Sequence, residues 1–378
     1  MPVLDFGGVE SRIITQSGLM DRDRFDFRVC TFWKRGEAAR QVEALGVRVD
    51  ELGTDPSPRN PRALRRLAEY VFDRRIDVIH ASVLEANLQA ALVRRIPGAP
   101  CVAIEEVGMP VRSLRTRALF GAVYRLADVV VGVSQRTCDA VTSQHWLPAH
   151  KVRLIYNSLN PRYLEPPMPT AQRERALVLA VGRLVEVKNH ETLLHALARL
   201  PPEVRPRLDI AGEGPLRTQL QARIDELGLA GDVRLLGFQR DVRRLLDEAD
   251  AYVLSSFSEG TSISLAEAMA RARPVLASRA DGIDEAMVGY PNGWQVEPRD
   301  VEGWADGLRR LAALGSTDRR ELGEKARRLV EARMSPSIWR RQLEALYSEL
   351  AARTQARRAR LTTRLGGRLA AAALGSTR

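Results

Sequence analysis

The sequence is first narrowed by what it lacks. No stretch approaches the ~18 uninterrupted apolar residues that a membrane-spanning helix needs, and no basic-then-apolar leader opens the chain. Cysteine is scarce: Cys30, Cys101 and Cys138 lie far apart and fit no metal-ligand spacing. Cys30 and Cys101 fall in apolar runs that read as strands, so they are expected to be buried free thiols. There is no Gly-x-Ser-x-Gly, no Walker loop and no zinc spacing. These absences argue against an integral membrane protein, a disulfide scaffold, a P-loop enzyme and a serine hydrolase, and they point to the cytosol.

What is present is the composition of a folded enzyme-sized chain. Its 378 residues, 45% apolar and 28% charged, are too many for one ordinary core and imply two domains. The net charge of +11 raises a nucleic-acid reading. Residues 351–378, however, hold seven arginines and no acid, which leaves +4 for residues 1–350. No nucleic-acid-binding motif accompanies the charge, so a nucleic-acid partner is not expected.

Short β-branched runs alternate with longer helical patterns, the signature of βαβ units and parallel sheets. The first half reads as strands at Phe27–Phe32, Val47–Leu52, Asp77–Ala81, Cys101–Ile104, Val129–Val133 and Val152–Tyr156, with helices such as Pro61–Arg74 and Leu84–Arg95. The second half reads as strands at Leu177–Val181, Leu208–Ala211, Val233–Leu236, Ala251–Leu254 and Val275–Ala277. Between the halves, Pro161 to Pro169 can be neither helix nor central strand, and 161–170 is the expected linker. The expectation is an α/β protein of two doubly wound domains, 1–160 and 171–335, with its active site in the cleft between them. A helix at 336–350 is expected to pack back on the first domain, and 351–378 to form an arginine-rich tail. The opening MPVLDFGGVES leaves only Pro2–Leu4 for a first strand that normally takes five or six residues. Either that strand is stunted or Met1 is an internal methionine, and the second is the expectation.

Two segments carry chemistry. In Ser258–Ala270, SEGTSISLAEAMA, a strand ends in a small-residue loop and a helix follows from Ile263. That exposes the backbone N–H groups of Gly260, Thr261, Ser262, Ile263 and Ser264 as an anion site. Glu259 and Glu267 can accept hydrogen bonds from vicinal sugar hydroxyls; a capping acid and a solvent-facing acid are the plain alternative. In Val181–His190, VGRLVEVKNH, Gly182 ends a strand and fixes Arg183 and Lys188 at its mouth. Two cations there can neutralise a diphosphate without a metal, where the plain alternative is solvated surface charge. Gly212-Glu213-Gly214-Pro215 is a third strand-end turn, either passing a nucleoside or simply leading into the next helix.

VGRLVEVKNHETLLHA, DIAGEGPLR, VRLLGF, EGTSISLAEAMA and NGWQVEP resemble the successive donor-domain motifs of the family-4 retaining glycosyltransferases, and GGVES, GVS (132–134) and IYNSLN (155–160) resemble that family's N-terminal markers. The resemblance covers nearly all of residues 3–350, in order, and implies the GT-B fold. It implies transfer of a sugar from a nucleotide-diphosphate sugar, a UDP-sugar favoured, to a hydroxyl on a glycan or lipid-linked acceptor. No cofactor is expected, the donor being a co-substrate, and no metal: no Asp-x-Asp motif stands at a strand end. By the same resemblance Arg183 and Lys188 meet the donor pyrophosphate. Glu259 lies near the transferred sugar and Glu267 on the ribose; Gly7 and Gly8 approach the phosphates; Gly212, Gly214 and Phe238 line the nucleoside pocket. Many members carry a histidine after the strand equivalent to Cys101–Ile104. This chain has none there, and Glu106 is the nearest match, either an acid in place of the imidazole or a hydrogen-bonded structural acid. His80 reads as a structural histidine. A nucleotide-sugar epimerase on the same scaffold is the main alternative, distinguished by isomerising donor without acceptor.

In the tail, Arg353, Arg357, Arg360, Arg364 and Arg368 recur at helical spacing beside a Leu361, Leu365, Leu369 stripe. With the basic stretch 112–125, this suits peripheral contact with an anionic membrane surface. A frayed end broken at Gly366-Gly367 is the alternative.

Overall fold

A computed structural model of the chain describes residues 1–4, 8–57, 59–106, 114–168 and 173–375. The chain divides into two compact units, Met1–Tyr156 with Ser337–Arg378, and Asn157–Pro336.

The first unit runs β1 (Val3–Leu4), α1 (Gly8–Leu19), β2 (Arg28–Thr31), β3 (Lys34–Arg35), α2 (Glu37–Ala44), β4 (Arg48–Glu51), α3 (Pro61–Asp73), β5 (Val78–Ser82), α4 (Leu84–Val93), β6 (Cys101–Glu106), α5 (Leu114–Leu126), β7 (Val129–Gly132), α6 (Gln135–His145) and β8 (Val152–Leu154). Strands β5-β6-β7-β8 form one parallel sheet, while β2 pairs with β4 and β1 with β3. Both β6 and β7 are buried along their whole length, which is why they read as continuous apolar runs. Strand alternation then sorts them onto two cores. Val102, Ile104 and Val130 pack with Leu67, Val71, Phe120 and Tyr124 on one face, and Cys101, Ala103, Val129 and Val131 pack on the other. Helix α3 starts as its sequence dictates: Asn60 accepts from Arg62 N at 3.1 Å, Pro61 fills the first turn, and Ala63, Leu67 and Val71 face inward. Cys101 and Cys138 are buried and Cys30 half-buried, all three as free thiols.

The second unit runs β9 (Leu177–Val181), α7 (His190–Ala198), β10 (Arg207–Ala211), α8 (Arg217–Glu226), β11 (Val233–Gly237), α9 (Val242–Glu248), β12 (Ala251–Leu254), α10 (Ile263–Ala270), β13 (Val275–Ser278), α11 (Asp281–Met287), β14 (Gln295–Val296), α12 (Val301–Ala313) and α13 (Ser316–Met334). Its six strands form one wholly parallel sheet in the order β11-β10-β9-β12-β13-β14. Residues 161–168 of the proline-rich passage are part of this unit rather than the free linker expected over 161–170, and residues 169 and 170 lie outside the described residues. Arg271, fully buried, donates to the carbonyls of Tyr163 (3.3 Å), Glu165 (2.7 Å) and Pro166 (3.0 Å) while pairing with Asp247 at 2.6 Å. Arg273 reaches the Met168 carbonyl at 3.0 Å. The backbone carbonyls that prolines leave unpaired are thus satisfied by arginine forks from the second unit's core.

Helix α14 runs unbroken over Pro336–Gly375, so the expected separate helix and tail are one element. The Ala, Leu and Arg around Gly366-Gly367 are strong helix formers, enough to carry two glycines at about 1 kcal/mol each. The helix covers the second face of the first unit's sheet with Trp339, Leu343, Leu346, Tyr347 and Leu350. Thr354 is fully buried there: its hydroxyl accepts from Cys101 N at 2.8 Å and donates to the Asp77 carbonyl at 2.7 Å. Arg358 pairs with Asp77 at 3.0 Å, and Arg357 pairs with Asp128. Part of the expected surface stripe is therefore a docking surface. The side chains of Arg364, Leu365, Arg368 and Leu369 lie outside the described residues. No helix among the described residues is long and apolar enough to cross a membrane.

Candidate active site

In the second unit the strand first in sequence, β9, lies at the middle of the sheet, with β10 beside it on one side and β12 on the other. The chain leaves β9 and β12 in opposite senses, and the gap beyond their carboxyl ends is where ligands of such sheets bind. The loop after β9 brings Gly182, Arg183 and Lys188 there, and the loop after β12 brings residues 255–262 and the start of α10.

The two loops are tied together. Asn189 holds a left-handed backbone (φ 51°), a conformation asparagine tolerates, and its buried amide donates to the Ser255 carbonyl at 3.1 Å and the Pro298 carbonyl at 2.7 Å. The Ser255 hydroxyl donates to the Lys188 carbonyl at 3.0 Å, and Phe257 N to the Val187 carbonyl at 2.8 Å. The side chains meet across this seam: Lys188 Nζ lies 2.5 Å from Glu259 Oε1, which also accepts from the Ser256 hydroxyl at 2.7 Å. Arg183, by contrast, is exposed and has no carboxylate partner among the described residues. Of the two cations read from the sequence, one is held by an acid of the same site and the other stands open.

The glycines of the neighbouring turn have a structural reason that the sequence did not disclose. A Cβ on Gly212 (φ +156°) would come within 1.8 Å of the Gly182 carbonyl oxygen, and one on Gly214 within 2.4 Å of the Leu184 carbonyl. These residues let the β10 turn lie directly against residues 182–184 and so brace Arg183. Gly282 does the same for the β12 loop, since a Cβ there would meet the Gly260 carbonyl at 2.0 Å. Phe238, after β11, is exposed.

Helix α10 opens on Ser262, whose hydroxyl accepts from Leu265 N at 3.4 Å, and the buried Tyr252 donates to the Ser264 hydroxyl at 2.8 Å. Gly260, Thr261, Ser262, Ile263 and Ser264 thus lead into a helix N-terminus at the switch point. One helical turn further in, burial pushes the Glu267 carboxyl up to about 7, against the opposing effects of the Arg162 charge and a hydrogen bond with Tyr163. Arg162 in turn donates to the Tyr163 hydroxyl at 3.2 Å. Sequence reading missed Asn189, Tyr163 and Arg162. The signal for the last two was the tyrosine and arginine set among the prolines, which composition alone assigned to a linker.

In the first unit, β6 ends in two adjacent acids that alternation sends to opposite faces. Glu106 is buried and bonded by the Tyr124 hydroxyl of α5. Glu105 is ion-paired to Arg12 of α1 and accepts from the Ser82 hydroxyl at 2.8 Å. His80 bonds Tyr347 at 2.7 Å and lies 4.0 Å from Glu105; burial drives its imidazole down to about 3, so it is neutral. Glu106 is therefore placed inside the core with α5, and it is its neighbour that meets the basic side chain of the glycine-led helix. Gly8 is the first residue of α1, and Gly7 lies outside the described residues, as do residues 112 and 113 of the basic stretch. Among the described residues no group of three or more His, Cys, Asp and Glu is placed to hold a metal ion.

Two family models divide the chain between them: Glycosyltransferase Family 4 matches residues 6–163, and Glycosyl transferases group 1 matches residues 166–329. Among curated proteins, the lipopolysaccharide core biosynthesis glycosyltransferase LpsE of Rhizobium meliloti is 35% identical over 36% of this chain and 39% of its own. The amylovoran biosynthesis glycosyltransferase AmsK of Erwinia amylovora is 31% identical over 54% of this chain and 52% of its own. The chain spans about half the length, or less, of these curated relatives. Among solved structures, Anabaena HepE in complex with UDP superposes with a TM-score of 0.77 at 19% identity, covering 92% of this chain and 100% of that one. The lipopolysaccharide outer core galactosyltransferase WaaB gives 0.71 at 19% identity over 92% of this chain and 98% of that one. Likeness at such identity establishes the fold, which is GT-B, two Rossmann-like parallel-sheet units. With family models accounting for both units in order, the chain belongs to the family-4, group 1 glycosyltransferases.

Proposed function

We propose that the protein transfers a sugar from a nucleotide-diphosphate sugar, a UDP-sugar favoured, to a hydroxyl of a glycan or lipid-linked acceptor in envelope polysaccharide synthesis, with retention at the anomeric carbon. The observation that carries the reading is the convergence of Arg183, Lys188 and the α10 N-terminus at the β9/β12 switch point. The polysaccharide-related names of relatives and the UDP and UDP-glucose complexes of HepE support the choice of donor and pathway class.

The chemistry is charge stabilisation. As the glycosidic bond to the β-phosphate breaks, negative charge grows on the diphosphate, and Arg183, Lys188 and the α10 amides neutralise it where it forms. Before donor arrives, Glu259 keeps Lys188 in place. A diphosphate competes for the ammonium and frees that carboxylate to accept from the sugar's hydroxyls. Glu267 holds the ribose hydroxyls. The acceptor oxygen attacks from the face the diphosphate leaves, and the departing phosphate takes its proton. Because two cations and a helix end supply the countercharge, transfer proceeds without a divalent metal. A lipid-linked acceptor would place the enzyme on the cytoplasmic face of a membrane, towards which the exposed Arg353 and Arg360 of α14 could turn.

The test is nucleotide release from UDP-glucose with and without a glycan acceptor, in EDTA, with the product's anomeric coupling read by proton NMR. Acceptor-dependent release with the donor's anomeric configuration is expected. Isomerised donor without acceptor, or an inverted product, would refute the reading.

A further inference from the structure

Four segments far apart in sequence bring cations to one concavity of the first unit: Arg94 and Arg95 after α4, Arg125 at the end of α5, Lys151 before β8, and Arg353 and Arg357 on α14. Asp128 and Lys151 immediately precede β7 and β8, so the basin lies at the amino-terminal edge of the sheet, opposite the strand carboxyl ends. Its volume is ≈470 Å³, and Asp128 is its sole lining carboxylate among the described residues.

Some of this charge has structural work. Helices α4 and α5 end here, and their carbonyl termini favour cations. Lys151 Nζ donates to the carbonyls of Arg125 and Ala127 at 2.8 and 2.9 Å, and Arg125 to that of His145 at 2.9 Å. Asp128 takes Arg94 at 2.6 Å, Arg357, and the backbone N–H of Val102 at 2.9 Å. Burial would raise its carboxyl, yet these hydrogen bonds hold it at about 2, so it is ionised and its acceptor capacity is used. It cannot also neutralise the rest. Arg95, Arg125 and Lys151 have no carboxylate partner among the described residues, Arg353 has only the i,i+4 partner Glu349, and Arg357 Nη1 is buried with no acceptor. A buried guanidinium nitrogen without an acceptor beside unneutralised cations is what a bound anion would complete.

We propose that this basin binds a phosphate monoester or diphosphate group. Arginine forks match the oxygens of such a group in bidentate fashion, and converging cations favour its compact multiple charge over a single carboxylate. A compact basin fed by four segments, unlike a stripe along a helix, suits a headgroup or small anion better than a nucleic-acid backbone. A phosphomonoester lipid headgroup and a soluble polyphosphate share this chemistry.

The test uses the full chain and inorganic pyrophosphate, by calorimetry at low ionic strength. Arg95→Glu with Arg353→Glu reverses two exposed basin charges and spares the residues that dock α14. Arg309→Glu with Arg320→Glu, on the second unit, is the control of equal net charge. The wild type and control should show one pyrophosphate site more than the basin variant, or at least a tenfold tighter one, with thermal midpoints matching. Equal binding by the two double variants, or no difference of either from wild type, would overturn the proposal. Co-sedimentation with phosphatidylcholine vesicles containing phosphatidate then separates the sources. Capture lost only in the basin variant assigns a lipid headgroup, and absence of capture alongside the pyrophosphate site assigns a soluble phosphate.

Discussion

Glu267→Gln separates the carboxylate's charge from its shape. In an unfolded chain this acid titrates near its ordinary value of 4.5, and in the fold it titrates at about 7 because burial disfavours the charged form. The folded protein therefore binds the extra proton between those values. Its stability from this group is fully present below 4.5 and declines as pH rises through 7, a loss of at most about 3 kcal/mol at pH 8. Glutamine, which never ionises, should remove that decline. Under the proposed function ribose hydroxyls would donate to the carboxylate, so the ionised form would bind donor better and donor binding would couple to the same proton. With a value near 7, the ionised fraction rises about tenfold from pH 6 to pH 8, and affinity for UDP-glucose should rise by a comparable factor. Calorimetry in buffers of different ionisation enthalpy should detect proton release near pH 6.5, absent in Glu267→Gln, which should bind more weakly at pH 8 and show a flat profile. Equal pH dependence in both proteins would refute the reasoning.

Thr354→Val keeps the shape of a fully buried side chain but strands the Cys101 N–H, and should lower unfolding stability by about 1–3 kcal/mol in urea titration, with Thr354→Ser largely restoring it. Arg271→Met removes the fork that binds Asp247 and three carbonyls. It should cost about 3–5 kcal/mol and open residues 164–168 to proteolysis, whereas a Lys at this position restores charge but not the carbonyl contacts.

The β-branched runs of β9 and β12 were legible because a strand buried on both faces must be apolar throughout, and the loops that follow them inherit their position from it. Strands β3 and β14 were not, since two polar or mixed residues paired only by backbone leave no pattern. The adjacent acids of β6 mark the limit of periodicity. Alternation guarantees that Glu105 and Glu106 face opposite ways, but only the packed helices tell which one meets Arg12 and which meets Tyr124. The pairing of Lys188 with Glu259 and the capture of the proline-rich passage by Arg271 are non-local in the same sense. For glycines 212 and 214 the sequence leaves a nucleoside-facing turn and a plain turn into the next helix both open, because it shows the missing side chain without showing the carbonyl that a Cβ would strike. In α14 the arginine spacing gave the helix, while Asp77 and Asp128, over two hundred residues away, decide which arginines turn inward.

Arg183 is the most direct handle on the central claim, because it is exposed, has no carboxylate partner among the described residues and packs no core. The single-turnover rate of sugar transfer by Arg183→Ala, with thermal midpoint and far-UV circular dichroism unchanged, is predicted to fall by about 100-fold or more. A rate within a few-fold of wild type would contradict the assignment of the β9/β12 switch point as the place where the diphosphate leaves.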